Sequence, residues 1–175
     1  MKKQVNRGLI WSFVVIFLVL LFDQILKVWV KTNMSLNDPI GIPLLGNWFS
    51  LKFVENDGIA FGLLSEGGIL KFALSLFRIV AVAALFWVLV WLSKRDTKPG
   101  VMIGVALITA GALGNIIDCV FYGKIFHYAG WLHGKVVDMF SISFFPPVFN
   151  LADAAITIGV FYMLIFQWKW LKSLQ

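Results

Sequence analysis

A chain of 175 residues that is 60% hydrophobic and 14% charged, with mean hydropathy +0.87, is composed like an integral membrane protein and unlike a soluble domain. Its formal net charge of +6 invites a nucleic-acid reading, which the placement of the basic residues argues against. The single Cys119 excludes an internal disulfide and leaves the redox compartment open.

Four stretches, at about 9–30, 69–92, 101–122 and 148–168, reach the length needed to cross a bilayer. They predict a single membrane domain over 1–175, with four transmembrane helices and two outer loops at 32–68 and 123–147. Lys2, Lys3 and Arg7 precede the first span; Lys94, Arg95 and Lys98 lie between the second and third; Lys169 and Lys172 follow the fourth. Only Asp96 opposes these eight cations on that side, which is the positive-inside pattern and places both termini in the cytoplasm. Membrane orientation, with no nucleic-acid partner, accounts for the charge.

The basic start and apolar core of the first span also describe a signal peptide. Asp23-Gln24 follows, however, and no small-x-small cleavage site does, so the expectation is a retained helix. Asp23 and Lys27 stand four apart on one face. Lys27 and Lys31 have an interfacial reading, as snorkelling side chains beside Trp29 in the aromatic belt, and for Lys31 that reading suffices. It does not explain Asp23, because an acid gains little from snorkelling.

In the first outer loop, Asp38-Pro39 and Gly41-Ile42-Pro43 are turn material. Residues 48–54 alternate apolar Phe49, Leu51 and Phe53 with Ser50 and Lys52, predicting a short strand. Asn56-Asp57-Gly58 then suits a corner needing positive φ, and a short interfacial helix through Ser65 is expected to follow. A small outer β-platform results.

Arg78 falls about nine residues inside the second span, roughly 13 Å by helical rise. That is too deep for easy snorkelling, so it needs a carboxylate partner. The third span is rich in small residues, and Gly104, Gly111 and Gly114 read as packing devices. It ends in Gly-Asn-Ile-Ile-Asp, with Asn115 and Asp118 three apart. Residues 135–140 alternate weakly and predict a strand carrying Asp138 among apolar neighbours. His127 and His133 lack a metal-binding spacing. Pro146-Pro147 cannot continue a helix and sets the start of the fourth span, where Asn150, Asp153 and Thr157 share one face.

A carboxylate within a membrane helix costs roughly 2.5–3.5 kcal/mol on insertion scales, so it marks a functional site by default. Given the topology, Asp23, Asn115, Asp118, Asn150 and Asp153 fall in the outer third of the bilayer, Arg78 lies in the outer half of its helix, and Asp138 lies in the loop before the fourth span. Scattered structural polar residues are not expected to agree in depth.

Five motifs, in this order and spacing, resemble the lipoprotein signal peptidases, also called signal peptidase II. They are D-Q-I-L-K from Asp23, N-D-G-I-A-F-G from Asn56, G-A-L-G-N-I-I-D ending at Asp118, V-V-D-M-F around Asp138 and F-N-L-A-D ending at Asp153. The resemblance implies a four-span aspartyl endopeptidase of the bacterial inner membrane, with its active site near the outer face. It would remove signal peptides from diacylglyceryl-modified prolipoproteins just before the lipidated Cys, working among membrane lipids without a metal or organic cofactor. It further implies that Asp138 and Asp153 are the catalytic pair, that Asn115 and Asn150 orient them, and that Asn56 and Gly58 serve the substrate. Asp23, Lys27 and Asp118 would support the fold. The family usually carries Arg directly after the third-motif Asp, where this chain has Cys119. Arg78 is a candidate replacement, or else a structural partner of Asp23 or Asp118. The competing classes are a proton- or cation-coupled carrier and a non-enzymatic scaffold. The carrier lacks a relay across the membrane and an inverted repeat. The scaffold leaves the two Asn-x-x-Asp faces unexplained.

Overall fold

The computed structural model describes residues 7–57, 68–95 and 97–173. Four apolar helices form the membrane part: α1 (Arg7–Asn33), α2 (Gly68–Ser93), α3 (Pro99–Ile117) and α5 (Leu151–Phe166). Three helices among the described residues are long and apolar enough to cross a membrane, and α5 is shorter at 16 residues. The exposed surfaces of α1, α2 and α5 carry large apolar side chains such as Phe17, Phe77 and Phe161, which suits a lipid-facing bundle.

α3 is the central helix, and its small residues explain why. A Cβ on Gly111 would lie 2.1 Å from the Ala152 carbonyl oxygen, so only glycine lets α3 and α5 approach this closely. One turn on, a Cβ on Gly114 would meet the Asp23 carboxylate of α1 at 2.8 Å. The deep core between these helices gathers Ile16, Leu89, Met102, Ala106 and Met163.

The predicted third span ends differently from a plain helix. After Ile117 the chain widens into a π-helical turn, Asp118–Tyr122, before one last α turn, α4 (Gly123–Ile125). Asp118, Cys119 and Tyr122 are all buried in it. Such turns shift the helical phase, here so that neighbouring positions face the interior together.

Outside the helices lies one antiparallel sheet in the order β1-β2-β3-β4, built from Ile42–Leu45, Phe49–Asn56, Val136–Ile142 and Phe145–Phe149. Val30, Leu51, Phe53, Tyr122, Val137 and Met139 pack between it and the ends of α1 and α3. The strands read in the sequence are β2 and β3; β1 and β4 add an edge on each side. Val148 and Phe149, assigned in the sequence to the fourth span, belong to β4, where Phe149 pairs with Phe140. Pro146 and Pro147 lack amide donors and are tolerated because β4 is an edge strand. Gln167 then separates α5 from the short α6 (Trp168–Lys172), splitting the predicted 148–168 span.

Candidate active site

The start of α5 fixes the first carboxylate. Asn150 is its N-cap and accepts from the Asp153 amide at 2.8 Å, while Asp153 Oδ2 accepts from the Asn150 amide at 3.3 Å. This capping box locks both side chains at the mouth of the helix. Because its amide oxygen is taken by the cap, the Asn150 Nδ2 group is free to point at other acceptors. It donates to Asp138 Oδ1 at 2.6 Å and to Asn115 Oδ1 at 3.1 Å.

Asp138 sits mid-strand in β3, only 2% exposed. Its second oxygen accepts from Asn56 Nδ2 at 3.1 Å. Val54 pairs with Asp138 and Asn56 with Val136, so Asn56 and Asp138 are diagonal neighbours on one face of the β2–β3 ladder. Asn115, from the end of α3, donates to Asp153 Oδ1 at 2.7 Å. The two aspartates are therefore joined by a continuous chain of amides, Asp138–Asn150–Asn115–Asp153. Burial, and then the charge of Asp153, push the Asp138 carboxyl up to about 6, against the opposing hydrogen bonds from Asn56 and Asn150 and the charge of Lys27.

Beneath this chain lies a buried ionic centre. Lys27 is 0% exposed and sets its three N–H donors on Asp23 at 2.9 Å, Asp118 at 2.9 Å and Asn115 Oδ1 at 2.9 Å. Each partner is committed elsewhere too: Asp23 Oδ1 accepts from the Ala152 amide at 2.9 Å and Asp118 Oδ2 from the Val137 amide at 3.1 Å. One lysine thus ties α1, α3, β3 and α5 at the same point. A buried charge is tolerated when it is paired and fully hydrogen-bonded, and among the described residues no buried side-chain polar atom lacks a partner.

Neither lysine snorkels, which corrects the interfacial reading held sufficient for Lys31. Lys27 is wholly enclosed, and Lys31, one turn later, turns under the sheet to pair with Glu55 at 8% exposure. The sheet and the end of α3 cover that face of α1. Arg78 Nη1 contacts Cys119 Sγ at 2.9 Å, while the ion pairs described for Asp23 and Asp118 are both to Lys27. Gly58 and the expected interfacial helix lie outside the described residues. Sequence reasoning missed Gln24, whose Nε2 lies 3.0 Å from Asp118 Oδ1 and 3.1 Å from Asp23 Oδ2, and Tyr122, which donates to Gln24 Oε1 at 3.1 Å. The position of Gln24 inside the first motif was the available signal.

Asp153 also faces an apolar groove of about 470 Å³ between β4 and α5, lined by Phe145, Val148, Phe149, Thr157 and Ile158 among others. Paired carboxylates at the end of a greasy groove suit chemistry on an amphiphilic chain.

The family model described as Signal peptidase (SPase) II matches residues 15–169. The chain belongs to the signal peptidase II family. The lipoprotein signal peptidase of Porphyromonas gingivalis is 39% identical over 86% of this chain and 79% of its own, and that of Amoebophilus asiaticus 36% identical over 86% and 75%. A bacterial membrane enzyme solved by the in meso method at 1.9 Å resolution is 28% identical and superposes with a TM-score of 0.70, covering 95% of this chain and 97% of its own. The protein is accordingly a membrane-embedded peptidase of the signal peptidase II type.

Proposed function

We propose that the protein is an aspartyl endopeptidase that removes signal peptides from diacylglyceryl-modified prolipoproteins, cutting just before the lipidated Cys. The observation that carries this reading is the amide chain joining Asp138 to Asp153 at the mouth of an apolar groove. An aspartyl pair divides the work between one ionised and one protonated carboxyl. The ionised member takes a proton from the attacking water. The protonated member hydrogen-bonds the scissile carbonyl and then protonates the leaving amine. The groove between β4 and α5 admits apolar substrate from the bilayer side, while Asn56 supports both Asp138 and the substrate backbone.

The basic clusters orient the molecule with both termini in the cytoplasm of a bacterial inner membrane and the aspartates near the outer face. A reporter fused after Gln175 is then cytoplasmic, and a tag within 126–134 is reachable from outside intact cells. A periplasmic C-terminus contradicts this orientation.

The central test incubates detergent-purified protein with a lipidated and an unlipidated precursor. Only the lipidated one should be cut, and Asp138→Asn and Asp153→Asn should each abolish cutting in a folded protein. Retention of about a tenth of the activity, a barrier change of only ~1.4 kcal/mol, removes that residue from the catalytic pair.

A further inference from the structure

Lys31 is the residue whose environment departs furthest from its sequence reading. Its ammonium lies over three rings, 4.6 Å from the Tyr128 centroid, 4.9 Å from Phe126 and 5.5 Å from Phe53, and it pairs with Glu55. Both side chains are largely enclosed, at 8% and 13% exposure. A cation in a partly desolvated aromatic cage is held more firmly than one in water.

The ion pair sits at the start of an alternating ladder. Glu55 is also 3.8 Å from Lys135, Lys135 is 3.7 Å from Asp57, and Asp57 is 2.5 Å from Lys71 at the start of α2. The two acids flank Asn56, the residue whose Nδ2 donates to Asp138. Side chains alternate across a strand, so Glu55 anchors one face of β2 while Asn56 presents the other. Fixing Glu55 beneath the sheet fixes the pleat at Asn56, because a slip of one residue would reverse both faces.

We propose that Lys31 is a positioning residue which, through Glu55, holds the Asn56 amide against Asp138. It touches neither aspartate and acts only through the end of β2. The inference rests on the reading of Asp138 as catalytic. Among the described residues, the charged groups that bear on Asp138 are Asp153 from α5 and Lys27 from α1, with Asp23 and Asp118 behind Lys27. None belongs to the Lys31 ladder, so disturbing that ladder changes Asp138 through Asn56. The Asn56 hydrogen bond favours the ionised carboxylate, and its loss moves the titration of Asp138 upward.

The test measures the pH dependence of kcat/KM on a lipidated precursor for Lys31→Met, Lys31→Arg, Asn56→Ala and the double variant Lys31→Met/Asn56→Ala, with melting recorded for each. Lys31→Met should lower kcat/KM about three- to tenfold at neutral pH and move the acidic limb upward by about half a unit or more. Asn56→Ala should move the limb the same way, and the double variant no further than Asn56→Ala alone. Lys31→Arg, which still stacks and pairs, should restore the wild-type limb. A lowered melting temperature with an unmoved pH profile overturns the proposal, as does a fully additive double variant. Asp138→Asn in the same assay separates the two readings. Activity there defeats the catalytic assignment, whereas an inactive Asp138→Asn beside an unmoved Lys31→Met profile defeats only the role of Lys31.

Discussion

Asn115 and Asn150 meet side chain to side chain, Asn150 Nδ2 lying 3.1 Å from Asn115 Oδ1, and each gives an amide N–H to a different aspartate. Lys27 fixes the direction of this chain, because its ammonium on Asn115 Oδ1 forces that oxygen to be the acceptor and the Asn115 nitrogen to face Asp153. The order of donors and acceptors is therefore set from the ionic centre outward. Asn115→Asp removes the donor and places a third carboxylate in the site. Cleavage should fall by at least about a hundredfold, some 2.7 kcal/mol in barrier. Activity within about threefold of wild type, measured on a lipidated precursor, contradicts this account.

Asn150 has a second duty as the N-cap of α5, so its loss should register in stability as well as rate. Asn150→Ala leaves the Asp153 amide uncapped, at about 1 kcal/mol, and deprives Asp138 of its shortest hydrogen bond. Asn150→Ser keeps a capping oxygen but cannot reach both acceptors. It should recover most of the melting temperature and little of the rate. Equal recovery of both would mean that the cap alone explains the residue.

Stability should also report the raised pKa of Asp138. A carboxyl whose folded pKa lies above its unfolded value contributes most at low pH, and that contribution is lost as pH rises through the folded pKa. With the folded value at about 6 against 3.8 unfolded, the ionised form weighs against the fold above roughly neutral pH. Relative to wild type, Asp138→Asn should become progressively more stable between pH 4 and pH 7, by an upper bound of about 3 kcal/mol for a shift of this size. One amide must face a donor from Asn56 or Asn150, which lowers the difference by a constant amount without changing its slope. Melting in detergent across that interval checks it. A flat difference shows that Asp138 does not titrate there.

The chain states its helices and most of its polar residues openly, because apolar runs of spanning length and intramembrane acids are rare and local signals. The motif residues that converge, Asp23, Lys27, Asn115, Asp118, Asn150 and Asp153, were all visible on that basis. The inward turn of Lys31 was not visible, since it depends on Phe53, Tyr128 and Glu55 arriving from distant parts of the chain. β4 was hidden by its prolines, which argue against a strand unless its edge position is known. The π-helical turn at Asp118–Tyr122 leaves no compositional mark at all.

Gly111 provides a test of packing independent of the chemistry. A methyl there would strike the Ala152 carbonyl, a backbone group that cannot rotate away, next to the capping residues of α5. Gly111→Ala should therefore separate α3 from α5, lowering stability by about 1–3 kcal/mol and cleavage together. A melting temperature within a degree of wild type would show that the helices have room to part.

Arg78 carries the riskiest prediction. Its guanidinium meets Cys119, where the resemblance leads one to expect Arg, so α2 brings a positive charge beside the position from which the family usually supplies one. A guanidinium at membrane depth is costly unless it is paired or hydrated, and its retention here argues for a role. If Arg78 supplies that charge, Arg78→Leu should reduce cleavage at least about tenfold, and adding Cys119→Arg should restore part of the rate. If it only braces α2 against α3, Arg78→Leu should lower the melting temperature, and the second substitution should rescue nothing, since an arginine at 119 leaves α2 without its contact. Unchanged cleavage and unchanged melting in Arg78→Leu would exclude both roles.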